Sequence, residues 1–80
     1  MDSAYEFALG QNIRKIRKNQ NLSQDQLAAQ MQLRGCDMTR SALAKIEVGQ
    51  RHIYPDELKL LREILGIPYE ELFVAYPAER

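Results

Sequence analysis

Two helix starts of the same design, close together, constrain this chain more than anything else in it. The first is Leu22-Ser23-Gln24-Asp25-Gln26-Leu27 and the second is Met38-Thr39-Arg40-Ser41-Ala42-Leu43. In each, a hydroxyl residue stands where an N-cap accepts a hydrogen bond from the first helical turn. The apolar residues around it sit at the spacing of a hydrophobic staple, and Gln26 completes a capping box at Ser23. Helix two is therefore predicted from Gln24 to at least Met31, with Leu27, Ala28 and Met31 facing inward. Helix three is capped by Thr39 and closed by Gly49 in a left-handed conformation. Leu43, Ile46 and Glu47 face inward from it. Arg40, Ser41, Ala44, Lys45 and Val48 face outward, the last four at i, i+3, i+4 and i+7.

The rest of the chain reads as helix as well. Ser3 and Glu6 have the form of a capping box, and Leu9, Ile13 and Ile16 follow at helical spacing, predicting a first helix over 3–19. Gly10 inside it costs about 1 kcal/mol against alanine. Pro55 at the first helical position, with Asp56 and Glu57 on the positive end of the dipole, opens helix four. Leu58, Leu61, Ile64 and Leu65 form its buried stripe and Gly66 stops it. A short last helix is predicted over 69–74. No strand pattern, repeat or linker is present. The expected architecture is all-α, a compact five-helix bundle forming one domain over 3–76, with the paired-helix core at 22–50 and a frayed tail at 77–80.

Composition narrows the function. A chain of 80 residues can bury a little over about 60% of its unfolded surface, enough for a single core. No apolar run approaches the roughly 20 residues a bilayer span requires, and the amino terminus lacks a secretory signal pattern, so a cytoplasmic location is expected. One cysteine, Cys36, and one histidine, His52, supply neither an internal disulfide nor a metal ligand set. Cys36 reads as a tolerated thiol, since a redox role needs a depressed pKa and Asp37 opposes what Arg34 would contribute. Catalytic constellations, phosphate-binding glycine loops and metal spacings are missing, so neither an enzyme nor a bound cofactor or small-molecule ligand is expected.

Formal net charge is zero, but its distribution is polarised. Residues 1–54 carry eight Lys/Arg against five Asp/Glu, and residues 55–80 carry three against six. Between Gly10 and Gln24 the cations Arg14, Lys15, Arg17 and Lys18 face no acid. A paired-helix unit whose second helix is capped and basic on its free face is the form that enters the major groove of DNA.

Four strings in order carry a family resemblance: I-R-K-I-R-K, L-S-Q-D-Q-L-A, T-R-S-A-L-A-K-I-E-V-G-Q-R, and L-K-L-L-R-E-I-L-G-I-P-Y-E-E-L-F. The chain resembles the Cro/phage-repressor (lambda-repressor-like, XRE-type) helix-turn-helix family over roughly Leu9 to Phe73. The resemblance implies a five-helix bundle that often binds double-stranded DNA operators as a homodimer. It places Gln24 on a DNA phosphate and behind the recognition helix, with Thr39, Arg40, Ser41 and Lys45 at the cap and groove-facing positions. It pairs Arg17 with Glu47 in a buried salt bridge. The chain departs from the pattern between Met31 and Met38, where Gln32–Asp37 lengthen the usual short turn by about five residues.

On this reading Arg40 offers a bidentate fork to guanine, Lys45 reaches guanine or phosphate, Ser41 adapts, and Ala44 and Val48 suit thymine methyls. Backbone contacts are expected from Gln24, Thr39, Arg34, Arg51 and His52, while Arg14, Lys15 and Lys18 read as a solvating or steering face. Val74 and Tyr76 are the candidate dimer seam, with packing into the core as their other role. A symmetric dimer would present two recognition helices about 34 Å apart to a near-palindromic site. The competing class keeps the fold as a protein-interaction module, antitoxin-like or partner-docking, with weak or no specific DNA binding.

Overall fold

The structure, a computed structural model, describes residues 3–73. Within that span the chain forms Ser3–Asn19 (α1), Gln24–Leu33 (α2), Arg40–Glu47 (α3), Pro55–Leu65 (α4) and Tyr69–Phe73 (α5), with no strand. This is the all-α five-helix architecture the sequence predicts. Among the described residues no helix is long and apolar enough to cross a membrane.

The starts of α2 and α3 form as their residues dictate, whereas the start of α1 departs from the Ser3–Glu6 capping box read from the sequence, because Ser3 lies within the helix. Ser23 Oγ accepts from the Gln26 amide at 3.0 Å while Gln26 Oε1 accepts from the Ser23 amide at 2.8 Å. Thr39 Oγ1 accepts from the Ala42 amide at 3.0 Å. At the amino terminus Ser3 is already helical, and Glu6 turns a carboxylate oxygen to His52, 2.6 Å from Nδ1.

The ends of α1, α2 and α3 share one device. Asn21, Gly35 and Gly49 each take a positive φ. The residue after each returns its amide to a carbonyl of the helix: Leu22 to Arg17, Cys36 to Met31, and Gln50 to Lys45. These are Schellman-type ends, and they account for the enlarged turn. α2 runs on to Leu33, Gly35 terminates it with a φ of 85°, and an irregular stretch, in which the Met38 amide donates to the Cys36 carbonyl at 2.8 Å, leads into Thr39. The stretch is tied down at its far end too. Met38 is fully buried and its carbonyl accepts from Gln32 Nε2 at 2.6 Å.

Ile13, Leu27, Met31, Met38, Leu43, Ile46, Leu61 and Leu72 make up the fully buried apolar core. α1 packs on α3 and α5, and α2 packs on α3 and α4, so α3 is held from behind by both preceding helices. Two polar side chains stitch the carboxy-terminal half to α1 and its end: Asn12 Nδ2 donates to the Leu72 carbonyl and Gln20 Nε2 to the Leu65 carbonyl.

Gly10 has a packing reason that helix propensity does not show. A Cβ there would stand 2.1 Å from the Ile46 carbonyl oxygen, a contact that cannot exist without moving α1 off α3. Propensity alone makes Gly10→Ala stabilising by about 1 kcal/mol. The close approach reverses the sign: overpacking of this kind costs about 1–3 kcal/mol or more. Urea unfolding of Gly10→Ala is expected to show the loss, and a gain in midpoint would refute the packing argument.

Candidate nucleic-acid interface

The inner and outer faces of α3 do different work. On the inner face Glu47 is 1% exposed, and an ionised carboxylate cannot stay there alone. Arg17 of α1 meets it with a two-pronged contact, Nε to Oε2 at 2.8 Å and Nη2 to Oε1 at 3.0 Å. Gln24 Nε2, at the start of α2, adds a third bond to Oε1 at 3.0 Å. Arg17 Nη1 continues to the Leu22 carbonyl at 2.7 Å, and Gln11 Nε2 donates to the Glu47 carbonyl at 2.7 Å. One carboxylate thus joins α1, α2 and α3, and Gln24 keeps a second amide proton and its carbonyl for another partner.

The outer face is open. Arg40, Ser41, Lys45 and Val48 are exposed and Ala44 is half-buried. Gln24, Thr39, Arg40, Ser41 and Ala44 line a shallow groove where the start of α2 meets α3. Arg40 Nε lies 3.9 Å from Asp25 Oδ1, with both side chains largely exposed, a pairing too weak to withhold Arg40 from a ligand.

Other residues expected on phosphates have protein partners. Arg51 forms a bidentate pair with Glu57, Nη1 to Oε1 and Nη2 to Oε2 at 2.9 Å each, and its Nη1 also reaches the His52 carbonyl at 2.8 Å. The guanidinium further stands 5.6 Å from the Tyr54 ring centroid. Arg51 therefore anchors the loop between α3 and α4. The sequence marks Glu57 only as a helix-dipole acid, because a pairing that turns back across a loop has no periodic signature. His52 carries Glu6 beside it, a carboxylate unfavourable to a phosphate at that point. Arg34 Nη1 folds back on Gln30, to its carbonyl at 3.2 Å and Oε1 at 2.8 Å, yet the residue stays exposed. Val74 and Tyr76 lie outside the described residues.

Sequence reasoning misses a second concavity. Arg14 and Lys18 of α1 converge with Ser23 and Gln24 of α2 and with Arg40 on a cleft of about 340 Å³, adjoining the α3 groove. The i, i+4 spacing of Arg14 and Lys18 is a signal of it, but only the fold shows that this face of α1 turns toward the start of α2. Cys36 is half-buried, and its thiol is pushed up, first by burial and then by the nearby Glu57 and Asp56, which disfavours a reactive thiolate.

Residues 10–76 match the family model described as a helix-turn-helix domain. The chain belongs to the helix-turn-helix domain family. It is the phage-repressor type of helix-turn-helix that the four strings resemble. The control protein C.BamHI of Bacillus amyloliquefaciens is 30% identical over 73 residues, covering 90% of this chain and 84% of that protein. Two solved structures superpose closely. The restriction-modification controller protein C.AhdI from Aeromonas hydrophila gives a TM-score of 0.78 at 31% identity, over 89% of this chain and 96% of that one. The DNA-binding domain of BldD gives 0.76 at 27% identity, over 91% and 99%. The enlarged turn is thus accommodated within the family's helix arrangement.

Two measurements follow from the ion pairs. Arg17→Ala strands Glu47 in the core, and breaking a buried pair costs about 3–5 kcal/mol, so chemical denaturation should show severe destabilisation. A loss within about 0.5 kcal/mol, the range of ordinary surface substitutions, would exclude the anchoring role. Glu57 is held below its ordinary value, chiefly by hydrogen bonding from Arg51. Its stabilisation is full above the unfolded carboxylate range, about pH 4.3, and declines as pH falls through the lowered folded value. Glu57→Gln should therefore be less stable than the parent at neutral pH, with the difference closing below about pH 4. A difference independent of pH would show that the charge is not the cause.

Proposed function

We propose that this chain is a sequence-specific DNA-binding transcriptional regulator; among its relatives one is named a control protein and another a restriction-modification controller protein. It would act as a homodimer on an approximately palindromic operator, with α3 in the major groove. The carrying observation is the division of α3: its inner face is fixed by the buried Glu47–Arg17–Gln24 cluster, while Arg40, Ser41 and Lys45 project from its outer face. Arg40 suits guanine O6 and N7 as a bidentate donor, Lys45 a guanine or phosphate one turn on, and Ala44 and Val48 the methyls of thymine. Gln24, Thr39 and the free amides opening α2 would meet the flanking phosphates. Family membership supports the same reading, as does the likeness to the BldD domain, which is named as DNA-binding.

Selection from a random duplex pool at about 150 mM salt tests it. The expected product is an inverted repeat with half-sites about 10 bp apart. Arg40→Ala should relax one base position in each half-site, a loss of about 1–3 kcal/mol of discrimination. A pool that stays random, with only weak salt-sensitive retention, would contradict the operator reading and favour a protein partner.

A further inference from the structure

The cleft between α1, α2 and α3 extends the reading above and rests on it: we propose that Arg14 and Lys18 clamp a DNA backbone phosphate beside the α3 groove. These residues lie outside the two helices of the helix-turn-helix unit. The cleft and the groove share Gln24 and Arg40, so a strand following α3 passes directly from one to the other.

Charge singles this cleft out. Arg14 and Lys18 stand one turn apart on the same face of α1, where like charges repel unless an anion lies between them. Both are exposed, and among the described residues neither forms an ion pair. The chain offers no acid from Phe7 to Gln24 that could neutralise them locally. Arg17 also lines the cleft, but Glu47 cancels its charge. Asp25 is the acid present, and it stands beside Arg40. The cleft therefore keeps a positive excess. The amides of Gln24 and Asp25 add to it, because the cap at Ser23 takes only the Gln26 amide. A phosphodiester fits this combination of two flexible cations and a helix start, and continuity with the α3 groove makes DNA its source.

Binding of the selected duplex by the parent chain, Arg14→Gln, Lys18→Gln, the double variant and Lys15→Gln, followed by anisotropy across a salt series, tests the clamp. Lys15 neighbours these residues on α1 but does not line the cleft. Each cleft substitution should flatten the log–log salt slope by about one per half-site, about two for the dimer on its duplex, and weaken all duplexes alike, leaving base preference and melting temperature unchanged. Lys15→Gln should keep the parent slope. A second arm uses duplexes carrying a single neutral methylphosphonate. At one backbone position per half-site the substitution should weaken the parent and leave the double variant unaffected. A double variant with parental slope and affinity, on a duplex whose recognition still depends on Arg40, overturns the clamp and leaves the DNA reading standing. A parent that binds no duplex overturns both.

Discussion

The buried carboxylate of Glu47 is the constraint from which the rest of this structure follows. A charge at 1% exposure must be matched where it sits, and the match is supplied by Arg17 from one helix and Gln24 from another. Because the Arg17 fork is planar and two-pronged, it fixes direction as well as distance. Arg17 can make that reach only if α1 lies against α3. The missing side chain at Gly10 permits this, since the Ile46 carbonyl occupies the space a Cβ would need. The same guanidinium holds the Leu22 carbonyl, so the turn entering α2 belongs to the cluster. The result is an α3 whose orientation is set from behind, leaving its outer residues to be chosen for something other than folding.

A small domain with a modest apolar core gains further definition from polar side chains that end on backbone carbonyls. Asn12 reaches α5, Gln20 reaches the end of α4, and Gln32 secures the stretch before α3. Such bonds satisfy carbonyls that helix ends and turns leave open, and they fix elements whose apolar contacts alone would allow sliding. The Arg51–Glu57 pair does the same for the loop after α3. It neutralises the charge of Arg51 while keeping that loop in place. Among the described residues, cations that form no ion pair include Arg14, Lys15 and Lys18 of α1 and Lys45 on the outer side of α3. The acids of α4 and α5 lie at the other end of the sequence, and this is how a chain of zero net charge can offer a polyanion a positive surface.

Local chemistry carries most of the secondary structure. Ser23 and Thr39 are readable as caps because a hydroxyl between stapling apolar residues has few other uses, and both caps form. Pro55, Gly49 and Gly66 mark boundaries that α3 and α4 keep. The division of α3 into an inner face with Glu47 and an outer face with Arg40, Ser41 and Lys45 follows from helical period, and burial agrees with it. Less is legible where partners come from another element. In sequence Arg51 and His52 read as free side chains near α3, but Glu57 and Glu6 lie beside them. Gly10 reads there as a propensity cost, and Arg14 and Lys18 as a solvated face.

Local signals in the sequence are enough to mark where most of the helices begin and end, which face of each is apolar, and that α3 presents donors outward, because caps, turns and periodicity act over a few residues. Which charges are neutralised, and which remain available to a ligand, depends on the folded arrangement. Pairing is a property of three-dimensional distance. Arg51 meets Glu57 across a loop and Arg17 meets Glu47 across two helices, while Arg14 and Lys18 meet no acid among the described residues. That difference, invisible to composition, separates the cations that hold this fold from those free to hold something else.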